Sequence, residues 1–574
     1  MKLSLLSVMK RSEKVASFFF ISISLLTAAL LSPMSGSAKP AYPGIINYTQ
    51  PDGSIIRIRI EGDENSKRIL SEDGKTRLEA MPDGFLRPAA LRMESPASEE
   101  QRKFIFSGTP FPSEGEPHAL VVLVNFNDNR FSRINPRTFY QRMLNEPGFF
   151  DYEATGSARD YFIENSGNAF RPHFDVYGPI TLREYAGYYG ANDMYGNDLH
   201  PEEMCIEACQ QLDAEVDFSK YDLNDDGYID NIYLIYAGFG EADTGTSNLI
   251  WPHSANLEDF DLEEQYVFDG KILNRYGMSN EMDFVNQRPD GIGTFVHEFC
   301  HVLGLPDLYA TSYTFATTPG AYSALDTGSY NNQGRTPPNL SSFERMSLGW
   351  LQPELMEESG DYSLPPLADS NKAFIIPTEN EDEFFLFECR KAEGADAYLP
   401  GEGMLVWHID FHQNIWDDNI VNNNGNHQYV DIVEADGVAS RYSRAGDTFP
   451  GEQNVRSFSF STIPSLASWM GVPTGRALSD IAYSHSDGIT FRMERVNDET
   501  GDNEDSGVDD ITDASSDLWS LQDQTLTNVS ASPITIYNLS GARIAILTSG
   551  ESLTLSPAIY ILNSPDFTTK TVVK

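Results

Sequence analysis

Residues 297–307 read His-Glu-Phe-Cys-His-Val-Leu-Gly-Leu-Pro-Asp, and no other stretch restricts the chain's folding so tightly. His297 and His301 are four apart, so a helix sets both imidazoles on one face, one turn from each other. Gly304 follows three residues later, where the helix must stop and bend sharply. Asp307 comes three further on, close enough to swing back under the imidazoles. Two nitrogens, one carboxylate and an open fourth position are the donor set of a catalytic zinc. Glu298, beside the first histidine, is then placed to take a proton from water on the metal's free side. The tetrahedral oxyanion of such a reaction needs a further donor. Tyr330 or Tyr322 is the candidate. The reaction this chemistry serves is peptide-bond hydrolysis.

At 574 residues the chain exceeds a single core and divides into several domains. Its formal net charge of −45 argues against nucleic acid or an anionic membrane as partner. At the start, Lys10, Arg11 and Lys14 precede an apolar run from Phe18 to Leu31, and small residues end at Ala38. A positive region, an apolar core and a small-residue cleavage site make residues 1–38 a secretory signal peptide, too short in its apolar part for a membrane span. The mature form is therefore expected to be secreted, with no spanning segment.

Residues 39–100 are charged and punctuated by Gly and Asp, with strand-like alternation over 54–60, and read as a propeptide. This segment contains no Cys, which excludes a thiolate latch on the zinc and leaves a carboxylate such as Asp63 or Asp83. The four cysteines, Cys205, Cys209, Cys300 and Cys389, are too few for a disulfide framework. Cys205 and Cys209 stand four apart in a predicted helix, an awkward spacing for a bridge. Cys300 falls beside the ligand face and reads as packing.

Residues 101–365 form the predicted catalytic domain. The continuous apolar run 119–126 predicts a central strand, and 231–242 a second. Helices are predicted near 136–145, over 157–165 and over 201–212. Between the last of these and the second strand, the acidic loop 222–230 follows the first nine positions of a calcium loop, with Gly227 at the sharp turn. Asp222, Asn224, Asp226, Tyr228 and Asp230 are the candidate calcium ligands. The twelfth position is Tyr233, so the usual closing glutamate is missing.

From residue 366 to 495 short strands alternate with Gly-, Asn- and Pro-rich turns, an all-β pattern. His408, His412 and His427 lie here; lone histidines are more often structural than ligands. Residues 496–516 are acidic and poor in apolar side chains, the composition of a disordered linker. Residues 517–574 carry short strands again. The overall class is α+β: a mixed α/β zincin-type catalytic domain, a β-rich domain and a small C-terminal all-β domain.

The motif at 297–307, with Asp in the third metal position, resembles that of the immune inhibitor A-type secreted metallopeptidases, relatives of the metzincins. Further matching segments are residues 156–162, 251–254, 326–338, 344–350 and 399–410. The resemblance covers roughly residues 40–495. It implies a zinc-protease domain with a β-rich region, a propeptide, often structural calcium, and protein or peptide substrates. It carries His297, His301 and Asp307 over as metal residues and Glu298 as the catalytic one. The family's usual methionine after the zinc motif is replaced here by Leu325, and Tyr322 stands where Trp is common. The C-terminal domain is similar to sorting signals of the type IX secretion route, on residues 536–544, 558–562 and the terminal Lys-Thr-Val-Val-Lys. That likeness implies dealings with secretion machinery, and release from or display on a Gram-negative, Bacteroidetes-like cell. Two function classes remain at this point: a secreted zinc endopeptidase, or a zinc-containing surface binding or adhesion protein without catalytic power.

Overall fold

The run Ala119–Val124 is apolar on both strand faces, so it needs cover on both. The computed structural model of the chain supplies that cover. It describes residues 37–62, 68–72, 76–80, 85–88, 111–194, 196–312, 316–380, 382–441, 444–496, 518–522, 524–537, 543–555, 558–564 and 567–573. The signal peptide up to residue 36, Asp63, Asp83 and the acidic linker from 497 on lie outside the described residues.

The main sheet uses β1 (Ser37–Ala38), β2 (His118–Asn125), β3 (His173–Thr181), β4 (Ile232–Phe239), β5 (His253–Asn256), β6 (Arg275–Asp283) and β7 (Arg288–Pro289). Their order is β1-β5-β6-β4-β2-β3, with β7 on the end of β6. β2 runs parallel to β3 and β4, and β4 parallel to β6. β5 is antiparallel to β6, and β1 antiparallel to β5. The last two residues of the expected leader thus form the outermost strand.

Four helices matter for the site: α1 (Pro136–Asn145), α2 (Ala158–Asn165), α3 (Pro201–Leu212) and α4 (Ile292–Val302). Odd residues of β2 (Ala119, Val121, Leu123) share a core with Phe295 and Phe299 of α4. Even residues (Leu120, Val122, Val124) share one with Met204, Ala208 and Cys209 of α3. The sheet is thus covered on both faces, with the zinc-motif helix on one. Helix α2 starts at a capping box: Asp160 N–H donates to Ser157 Oγ, and Ser157 N–H to Asp160 Oδ2. All four cysteines are unbridged and buried.

The predicted propeptide is a five-stranded antiparallel meander: Ile46–Thr49, Ile55–Glu61, Arg68–Ser71, Arg77–Ala80 and Leu86–Pro88. Ile46, Ile58, Ile60 and Leu86 pack with Ala242 and Trp251 of the catalytic domain.

After residue 350 a five-stranded and a three-stranded sheet take over. Composition changes near 366, yet the core continues across that point. Leu386, Leu405, Trp407, Ile409 and Val430 belong to the same cluster as Phe299 and Leu325. Buried polar contacts seal the join: Ser342 N–H donates to Glu388 Oε2 at 2.6 Å, and Arg390 pairs with Glu388 and Asp396. The β-rich part is therefore packed into the catalytic domain rather than hung beside it. The C-terminal residues form two further small sheets around Leu526, Ile534, Ile536 and Leu562. Among the described residues, no helix is long and apolar enough to cross a membrane.

Candidate metal centre and active site

Helix α4 ends as the sequence requires. Gly304 adopts φ +97°, a left-handed conformation that favours glycine. Gly304 N–H donates to His301 O, and Leu305 N–H to Cys300 O, the paired bonds of a Schellman end. The bend brings the Leu305 carbonyl under His301, whose Nδ1–H donates to it at 2.7 Å. His297 Nδ1–H donates to the Ala324 carbonyl at 2.8 Å. Each Nδ1 is spent on a carbonyl, so each Nε2 presents its lone pair.

The two Nε2 atoms are 3.2 Å apart, and Asp307 Oδ1 lies 3.2 Å from each. That triangle has equal sides. A tetrahedral zinc with arms of about 2.0–2.1 Å has ligand–ligand edges of about 3.3–3.4 Å, so the three atoms form one face of such a polyhedron. Asp307 Oδ1 is buried and has no hydrogen-bond partner. His297, His301 and Asp307 are 0%, 2% and 0% exposed, too deep for an uncompensated carboxylate. The donor set and the orphaned oxygen fit zinc.

Glu298 completes the arrangement. Ser254 Oγ, on β5, donates to its Oε2 at 3.1 Å, while Oε1 has no hydrogen-bond partner. Burial lifts this carboxyl to about 8 in the metal-free chain. Burial also works against charge on the other groups. His297 lies below its ordinary value for that reason. At His301 burial is the largest single influence and lowers the imidazole, but the Asp307 carboxylate, Glu298 and the Leu305 carbonyl together lift it to about 8. Burial opposes the Asp307 carboxylate, but the two imidazoles more than offset it and hold it well below the usual range.

Three contributors carried no recognisable sequence signal. Asn419, in the β-rich part, bonds Asp307 through both ends of its amide. Ser254 orients Glu298 from β5, the strand next to the outermost one. Tyr309 lies nearly parallel to the His297 ring, with centroids 6.4 Å apart. Ser254 falls in the segment 251–254 already matched by resemblance, but nothing in that match gave it a role.

Other candidates are placed less centrally. Tyr322 is fully buried and gives its hydroxyl to Arg444 O at 2.9 Å. Tyr330 gives its hydroxyl to Pro40 O at 2.7 Å, on the N-terminal segment. The acidic loop turns at Gly227 with φ +93° as expected. Its carboxylates are engaged locally: Asp222 accepts from Asp226 N–H, Gly227 N–H and Lys271 Nζ, and Asp230 from Leu223 N–H. Asn224 and Asp226 bond each other, with the Tyr228 N–H on Asp226 Oδ1. Among the described residues, the acidic and imidazole groups close enough to share an ion are His297, His301 and Asp307, all buried, and His200, Glu202 and Glu203, of which Glu202 is buried and Glu203 exposed. His408 pairs with Glu383, while His412 and His427 share Asp410.

His297, Glu298, His301 and Asp307 lie within a stretch similar to known peptidases. Residues 117–356 match the family model described as immune inhibitor A peptidase M6, catalytic domain. The chain is similar to the pre-pro-metalloprotease PrtV of Vibrio cholerae serotype O1, 30% identical over 274 residues, which cover 40% of this chain and 29% of that protein. It is also similar to immune inhibitor A of Bacillus thuringiensis subsp. alesti, 27% identical over 263 residues, 39% of this chain and 38% of that protein. The chain thus spans well under half the length of either relative.

Proposed function

We propose, for a chain whose residues 117–356 belong to the immune inhibitor A peptidase M6 family, that it is a secreted zinc-dependent endopeptidase acting on proteins and peptides. The observation that carries this reading is the triangle of His297 Nε2, His301 Nε2 and Asp307 Oδ1, with the free Oε1 of Glu298 beside it.

His297, His301 and Asp307 would hold the ion. Zinc in such a site polarises a peptide carbonyl and acidifies water. Glu298 takes a proton from the attacking water and returns it to the departing amine. Ser254 fixes the carboxylate for both transfers. The water-poor setting that lifts Glu298 makes it a stronger base than an exposed glutamate. Substrate backbone adds to the open edge of β5 once the N-terminal segment leaves.

Residues 1–38 direct export and residues 39–100 keep the enzyme latent in this proposal. The meander packs on Trp251, Lys39 N–H donates to Pro252 O beside β5, the strand that carries Ser254, and Pro40 O accepts the Tyr330 hydroxyl. Calcium would be held by Asp222, Asn224, Asp226, Tyr228 and Asp230 after Lys271 yields its place on Asp222. Residues 517–574 would serve secretion machinery of a Gram-negative, Bacteroidetes-like cell, by the resemblance of that segment. Stripping the metal with a chelator and restoring zinc tests the reading. Hydrolysis of casein should vanish and return; a return of thermal stability without hydrolysis would instead describe a zinc-stabilised binding protein.

A further inference from the structure

The N-terminal segment pairs with β5 as a strand and leaves a lysine in a closed acidic pocket. Ser37 pairs with Ser254 and Ala38 with His253, antiparallel. Lys39 follows, its N–H on Pro252 O at 3.1 Å and its carbonyl accepting Trp251 Nε1–H at 2.8 Å. Its side chain is 1% exposed. Nζ donates to Asp243 Oδ1 at 3.4 Å and lies 3.9 Å from Asp290 Oδ2. The Tyr330 ring covers it, with the centroid 4.1 Å away.

The walls of this pocket all belong to the catalytic domain. Asp243 comes from the short helix Glu241–Thr244, and Asp290 from the approach to α4. Asp290 is fixed by Thr294 Oγ1–H at 2.7 Å and by Gly291 N–H at 2.9 Å. Asp290, Thr294 and Glu298 follow one another at four-residue steps, so the pocket lies along the same side of α4 as the general base. Asp243 and Asp290 are themselves buried, at 4% and 7% exposure. Two buried carboxylates under an aromatic face suit a cation, and without one they are strained by mutual repulsion and lost hydration. Departure of the N-terminal segment would create that situation, and a substrate cation would relieve it.

We infer that this is the enzyme's specificity pocket, built for a lysine or arginine side chain of the substrate, with Lys39 as its internal stand-in. The inference rests on the protease reading above. The register sets the position. Ser254 touches Glu298 and faces Ser37, and the lysine comes two residues later. A substrate strand in this register carries its basic residue within two positions on the C-terminal side of the cut bond.

Two measurements test the pocket. In the first, the active secreted enzyme digests a peptide library and the cut sites are sequenced. Lys and Arg should be enriched tenfold or more at one of the first two positions after the cut, and Asp243→Asn/Asp290→Asn should lower the Lys-to-Met cleavage ratio at least tenfold. Cleavage without basic enrichment overturns the pocket while leaving the protease reading intact. The second needs no activity. Full-length Glu298→Gln/Lys39→Ala is melted with n-butylammonium or with neutral n-butanol. The ammonium should raise the midpoint in a saturable way and the alcohol should not; equal effects, or none, overturn the inference even if the chain hydrolyses nothing.

Discussion

Asn419 grips Asp307 at both ends: the Asp307 N–H donates to Asn419 Oδ1 at 2.7 Å, and Asn419 Nδ2 donates to Asp307 Oδ2 at 2.7 Å. The second bond leaves Oδ1 as the carboxylate oxygen facing the two Nε2 atoms. A residue of the β-rich part thereby sets the rotamer of a proposed metal ligand. Outer partners of this kind typically govern metal affinity by about 10–100-fold. Asn419→Ala should weaken zinc binding by about that factor, and Asn419→Asp by more, because it sets a second carboxylate against the first. Competition with a chromophoric chelator measures both. Unchanged affinity in the two variants would show that Asp307 holds its place unaided.

Leu325 stands where the family that the motif resembles usually has methionine, in a turn held by backbone contacts. The turn holds His297 through the Ala324 carbonyl, and Leu325 O in addition accepts Leu308 N–H at 2.9 Å. These are backbone contacts, so the side chain's duty is to fill volume; Leu325 is fully buried. Leu325→Met should cost less than about 1.5 kcal/mol and leave hydrolysis within about twofold. Leu325→Ala should cost about 2–5 kcal/mol through the cavity it opens. Thermal melting beside a casein assay checks both, and a large gain in activity on Leu325→Met would contradict this account.

Glu298 gives the metal-free chain a definite pH dependence. Its carboxyl is lifted by burial to about 8, whereas an unfolded glutamate titrates near about 4.3. Between these values the folded state binds more protons than the unfolded one, so stability falls as pH rises. The contribution is whole below about pH 4.3 and is lost progressively up to about pH 8. Glu298→Gln removes it. With both proteins stripped of metal, the variant's advantage in melting midpoint should widen from pH 5 to pH 8. A constant gap would mean that the carboxylate is already satisfied in the fold.

Much of this was legible locally. The four-residue step from His297 to His301, the glycine at 304 and the return of Asp307 are short-range consequences of helix geometry, and the structure brings the side chains of His297, His301 and Asp307 within 3.2 Å of one another. Helix α2 and the strand at 119–126 were legible for the same reason: a cap and a two-faced apolar run act within a few residues. What escaped is tertiary. Asn419 lies 112 residues from Asp307, in an Asn-rich loop with no distinguishing pattern. The change of composition near 366 marks a change of sheet, yet Leu386 and Trp407 pack into the core of the zinc helix. Tyr330, a candidate oxyanion donor on sequence alone, gives its hydroxyl to Pro40 O, and its ring covers Lys39. A tyrosine's partner depends on which segment folds over it.

The central claim is that His297, His301 and Asp307 hold one zinc ion for which Glu298 moves protons. The most direct measurement is zinc content and casein hydrolysis on wild type, Glu298→Gln and Asp307→Ala side by side. This account expects one zinc per chain in the first two, loss of zinc in the third, and a fall in hydrolysis of about 10²–10⁴-fold for Glu298→Gln at full zinc occupancy. Wild-type hydrolysis by zinc-loaded Glu298→Gln, or undiminished zinc in Asp307→Ala, would contradict it.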